Sequence, residues 1–208
     1  MDSTLTLVNP SPPTQYTFST NNIKNAVIFA RPFPSPGQAQ RAQNVYTVST
    51  ELKSDKRTEL TDTASGRLVA VWERRDILPD TVTFPDRDNG STTSVSKWLS
   101  KGKLPDGMPV HVMQTAYGPL VWKSDATYRL GLFIENNLLQ PVAYYQLDLH
   151  ANANANLVID ANAEQIRTDI IFSFIILEQR LRVSDRNINV GGGKFEMNRT
   201  VLGHHVMK

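Results

Sequence analysis

The segment that most restricts how this chain can fold is Ile170-Ile-Phe-Ser-Phe-Ile-Ile-Leu177, which is apolar on every side apart from one serine. A surface helix keeps a polar stripe and a half-buried strand alternates, so a run without either period must be surrounded by protein. Neither proline nor glycine interrupts residues 162–182, and Asp160 or Asn162 is placed to cap a helix there. Glu164 comes early and Arg180 and Arg182 late, the charge order that a helix dipole favours. Periodicity alone would also admit a buried strand, but length and capping decide for a helix over 162–182.

What surrounds that helix is written in the preceding residues, where short β-branched or apolar runs alternate with turn signals. Strands are expected at 4–8, 15–20, 26–30, 45–50, 57–62, 68–73, 110–116, 120–123, 128–135, 141–147 and 156–160. Ser65-Gly66, Asn89-Gly90, Asp106-Gly107, Tyr117-Gly118-Pro119 and Asn136-Asn137 mark turns between runs. Phe133 breaks the alternation of its run, and residues 95–99, carrying Trp98, read equally as a strand or as one helical turn. The proline-rich stretch 31–37 is expected as a surface loop and the Ala-Asn repeat at 151–156 as a hairpin turn. The economical solution is a mainly β domain, a closed antiparallel barrel of about 12 strands with the helix filling its interior, since a barrel that wide is not filled by its own side chains. Closure would also remove the sheet edges. The expected division is one domain over 1–183 and a loosely docked tail over 184–208, which holds Gly191-Gly-Gly193.

Composition narrows the function classes. The 208 residues carry 22 basic and 20 acidic side chains, too even a balance, and too scattered, for a dedicated nucleic-acid surface. No cysteine is present, which removes disulfides, thiolate metal sites and a cysteine nucleophile. The opening residues 1–7 lack the charged and apolar regions of a signal peptide, and no apolar run approaches the ~20 residues of a membrane span. A cytoplasmic protein is therefore expected. Its oligomeric state is not written in the sequence.

Gly-Arg-Leu-Val-Ala-Val-Trp-Glu at 66–73, Tyr-Gly-Pro-Leu-Val-Trp at 117–122, Pro-Val-Ala-Tyr at 141–144 and the closing Thr-Asp-Ile-Ile-Phe-Ser-Phe-Ile-Ile-Leu-Glu at 168–178 resemble a family of uncharacterised basidiomycete proteins. That family is similar to the tubby C-terminal, phospholipid-scramblase and LURP-one group. The resemblance runs over about residues 4–183. It implies a twelve-stranded barrel threaded by a hydrophobic C-terminal helix, and association with lipid. No basic head-group motif of that group aligns with this chain, and the cysteine-rich segment of scramblases is missing.

No phosphate-binding loop, dinucleotide fingerprint, nucleophile elbow or zinc-protease motif occurs, so neither cofactor nor metal is expected. Two hypotheses follow. The first is a non-catalytic binding module for a lipid, small apolar ligand or protein. Its candidate groups are the aromatic set Trp72, Trp98, Trp122, Tyr128, Tyr144 and Tyr145, and the cations Arg74, Arg75, Lys97, Lys101 and Lys103, which would meet an anionic head group. The aromatics would equally serve as β core, and the cations as a solvated face. The second is a small cofactor-free enzyme in which His111 or His150, oriented by Glu135 or Asp148, works as acid and base at a barrel mouth. His204-His205 reads as part of a solvated tail.

Overall fold

The computed structural model describes residues 11–32, 41–124, 126–146 and 154–191. The strand expected over 4–8, the proline-rich stretch from residue 33, Asp148, His150, the first half of the Ala-Asn repeat and the tail beyond Gly191 lie outside them.

Thirteen strands form one sheet: β1 Thr14–Phe18, β2 Ala26–Pro32, β3 Gln43–Thr50, β4 Arg57–Asp62, β5 Leu68–Glu73, β6 Thr81–Thr83, β7 Thr92–Ser94, β8 Leu99–Lys103, β9 Pro109–Thr115, β10 Gly118–Lys123, β11 Gly131–Ile134, β12 Asn137–Gln146 and β13 Asn156–Ile159. A single helical turn, α1 Val95–Trp98, joins β7 to β8, so the undecided segment is a turn of helix running into a strand. After β13 a 3₁₀ turn, Ala161–Ile166, leads into α2, Arg167–Gly191, which continues past the expected end at Arg182. The cap is Asp160, whose carboxylate accepts from the Asn162 N–H at 2.9 Å.

The sheet is a meander in which β1 sits between β2 and β13. Every neighbouring pair is antiparallel, and the ladder ends at β7 on one side and β8 on the other. This departs from a closed antiparallel barrel for a reason of parity. In an all-antiparallel series of thirteen strands the first and last run the same way, so they cannot close the ring antiparallel. No ladder joins β7 to β8 among the described residues, and α1 is the covalent link across that seam.

The inner face of the sheet packs on α2. Every side chain from Ile170 to Leu177 is buried. Phe174 meets Phe18 of β1 and Tyr145 of β12, Phe172 meets Phe84 and Trp98, and Ser173 Oγ accepts from the Trp122 indole N–H at 2.9 Å. Contacts from opposite reaches of the sheet explain why this helix carries no polar stripe. Its buried carboxylates are paired: Asp169 takes a two-pronged Arg87 at 2.6 and 2.7 Å, and Glu178 receives both Arg129 and Arg182.

A smaller apolar patch lies outside the ladder. Phe133 is buried there beneath Tyr128, and Val121, its partner across β10 and β11, is buried beside it. The register shifts on both sides of Phe133, which accounts for its break from alternation. A Cβ on Gly131 would come 2.7 Å from the Phe133 ring, so the close approach requires glycine.

Candidate functional site

A cleft of about 800 Å³ opens at the end of the sheet through which α2 leaves it, beside the seam. One wall is β8 and β9, with Leu99, Lys101 and His111; the other is Pro79 and Asp80 before β6, with Val95 and Ser96 of α1. Trp122, Leu130 and Leu177 form an apolar floor and Arg180 stands at the rim, while Lys123, which also borders the cleft, holds its ammonium over the Phe133 ring in the outer patch.

Strand register assembles the centre of this cleft. Lys101 of β8 is the ladder partner of His111 in β9, which is in turn the partner of Trp122 in β10. Three candidates far apart in sequence thus form one row across adjacent strands. Alternation places Lys101 on the same side of β8 as buried Leu99, so its side chain faces the cleft although it is exposed.

The electrostatics of the site are lopsided. Asp80 is its carboxylate, and it is already engaged: one oxygen accepts from Arg180 at 2.8 Å and from the Trp72 indole at 3.3 Å, the other from the Arg75 backbone N–H at 3.2 Å. His111 is held below the ordinary histidine range, first by burial, then by the positive charges of Arg180 and Lys101. Its imidazole is therefore neutral near pH 7 and sits in a positive field. The chemistry of the site is complementary to anionic or hydrogen-bond-accepting groups above an apolar floor. Among the described residues it holds no unengaged carboxylate to orient a histidine base.

The other candidates are distributed elsewhere. Trp72 and Trp98 are core residues, Trp98 edge-on to Phe84 at 5.2 Å. Arg74 lies over the Trp72 ring at 4.3 Å and donates to Thr58, which makes it a packing group at the cleft's flank. Arg75 faces Glu73 at 3.8 Å. Tyr128 and Tyr144 meet at a tilt, 5.3 Å between ring centres, in the outer patch away from the cleft, while Tyr145 packs on α2. Glu135 follows β11 at the opposite end of the ladder from His111, so these two do not form an acid–base pair. Lys97 on α1 and Lys103 at the end of β8 are exposed beside the seam.

Sequence reasoning did not single out Asp80, Val95, Leu99 or Leu177 as cleft residues. Arg180 carried a signal that was read only as dipole complementarity: an arginine one turn beyond an all-round apolar run must reach a partner or an opening. A second cleft, near the start of α2, is polar. Glu164 in its wall accepts from the buried Tyr16 hydroxyl at 2.7 Å, and burial together with that carboxylate pushes the phenol far up. Among the described residues no cluster of three histidine or carboxylate side chains is placed to hold a metal ion, and no helix is long and apolar enough to cross a membrane.

The fold and cleft thus define a mainly β domain wrapped on one C-terminal helix, with an apolar, positively edged recess at the ladder's seam. The sequence profile of the family of unknown function DUF6593 matches residues 30–183, and the chain belongs to that family. The matched span leaves out β1 and takes in every cleft residue named above. No curated protein and no solved structure matches the chain.

Proposed function

We propose that this domain is a non-catalytic binding module and that the cleft at the seam is its ligand site. The carrying observation is the row Lys101–His111–Trp122, a cation, a neutral imidazole and an indole floor; among the described residues Lys101 has no ion-pair partner, and the cleft's carboxylate, Asp80, is already engaged. The occupant this favours has an apolar body and at least one anionic group. A more distant kinship with the tubby C-terminal, scramblase and LURP-one barrels, a fungal origin and a cytoplasmic setting belong to the same proposal. The succession of short strands closed by an enclosed apolar helix supports the kinship. The enzyme reading is the weaker one, because among the described residues His111 has the positive charges of Arg180 and Lys101 near it and no unengaged carboxylate in the cleft.

Anilinonaphthalene sulfonate, an apolar anion, is a direct probe. It is expected to bind saturably, about one per chain, with energy transfer from Trp122, while the melt stays cooperative. Lys101→Glu should weaken it roughly tenfold, and added salt should weaken it as well. Binding that is unsaturable, or indifferent to Lys101→Glu, would remove the cleft as the site.

A further inference from the structure

The seam exposes more than a cleft. Leu104 N–H donates to Met108 O at 2.9 Å, which fixes the phase of the β8–β9 ladder. In an antiparallel pair the bonded residues alternate, so Gly102–Val110 and Ser100–Val112 carry the hydrogen bonds to β9. The backbone N–H and C=O groups of Lys101 and Lys103 therefore point the other way, toward the seam. Leu99 N–H is used by Val95 O, but no described group takes those of Lys101 and Lys103. An edge of this kind is a template for another strand.

We propose that the module captures an extended acidic segment of a partner protein by strand addition to β8, with its side chains entering the cleft. This rests on the binding reading above and names the partner for that site. The direction fits. β7 and β8 run the same way, so a strand antiparallel to β8 is antiparallel to β7 too, and it extends the ladder without changing its sense. The charge fits as well. Lys97, Lys101 and Lys103 make no ion pair with any described residue, and residues directly opposite on neighbouring strands attract when their charges differ. The same lysines repel a second copy of this edge, which turns a common guard against self-association into selection for an acidic strand. Leu99, on the cleft side of β8, asks for an apolar residue opposite it. The recognised pattern at alternate positions is then acidic, acidic, apolar.

The probe is the blocked peptide Ac-Glu-Thr-Glu-Thr-Val-Thr-NH2, which places Glu opposite Lys103 and Lys101 and Val opposite Leu99. Binding should slow hydrogen exchange at the Lys101 and Lys103 amides and should be lost when both Glu are replaced by Lys. Methylating the backbone nitrogen of the second Glu removes one strand-to-strand bond and should weaken binding about tenfold. In the protein, Lys101→Gln removes charge alone. Lys101→Pro removes charge and the outward donor while leaving the β9 bonds intact, so it should bind about tenfold more weakly than Lys101→Gln. Equal binding of the methylated peptide would overturn strand addition, leaving only charge attraction. So would a dimer of the wild-type chain that Lys101→Pro dissolves, since the occupant is then a second copy. If the peptide fails while anilinonaphthalene sulfonate still fills the cleft, strand addition falls and the binding reading stands. If neither binds, both fall.

Discussion

Ser173 interrupts the apolar run of α2, and its hydroxyl works in two directions. It accepts from the Trp122 indole at 2.9 Å and donates to Ile170 O at 3.0 Å, both fully inside the protein. Ser173→Ala would strand a buried indole N–H, and urea unfolding should register a loss of about 1–3 kcal/mol. A loss below about 0.5 kcal/mol would show that the indole finds another acceptor. One residue along the same row, His111 makes a pH-dependent contribution whose sign is fixed. Its folded pKa is depressed from 6.5 by burial and by Arg180 and Lys101. The unfolded chain therefore binds the proton first, and the stabilisation present above pH 6.5 is lost as pH falls through the folded value. The urea midpoint should drop between pH 7.5 and 5, and His111→Gln should flatten that part of the profile. An unchanged profile would place His111 in solvent. Residue types hinted at this row but not at its assembly: nothing in the spacing of Lys101, His111 and Trp122 says that they share a register, because register is set by the turns at 104–108 and 115–118.

Among the elements, α2 was legible because apolarity on all faces has so few explanations. Phe174 is buried between Phe18 and Tyr145, and Phe174→Ala should cost about 3–5 kcal/mol in denaturant unfolding through lost burial and the cavity left behind. Leu139→Ala, at a side chain 95% exposed, should move the midpoint by no more than about 0.5 kcal/mol. Equal losses at the two positions would contradict an enclosed helix. β6, β7 and β8 were not legible. Thr-Val-Thr, Thr-Thr-Ser and Leu-Ser-Lys-Gly-Lys have no apolar run to announce them, and two of the three are too short to display a period. They are strands because their neighbours offer a ladder to join. Asp185 adds a similar lesson at the far end of α2. It pairs with Arg129 at 2.8 Å, beyond the point where the sequence suggested a tail.

At the scale of the whole molecule the decisive quantity is a parity. Twelve antiparallel strands would bring opposite-running edges together, whereas thirteen bring like-running edges, and one three-residue strand makes the difference. No sequence pattern counts strands that reliably, so enclosure of the helix could be read in advance but the seam could not. The seam should be visible in hydrogen exchange of the free chain. Strand β13 lies between β1 and β12, so its amides are bonded on one side or the other and should exchange only through global unfolding. In β8 the pattern should alternate: Ser100 and Gly102, bonded to β9, exchange slowly, while Lys101 and Lys103, facing the seam, exchange near the rate of an unprotected amide. Because the four residues adjoin, differences in local fraying cannot produce that alternation, and only an open edge at β8 does. Protection of Lys101 equal to that of Gly102 would mean that another strand already covers this edge, and the ladder would then have no seam.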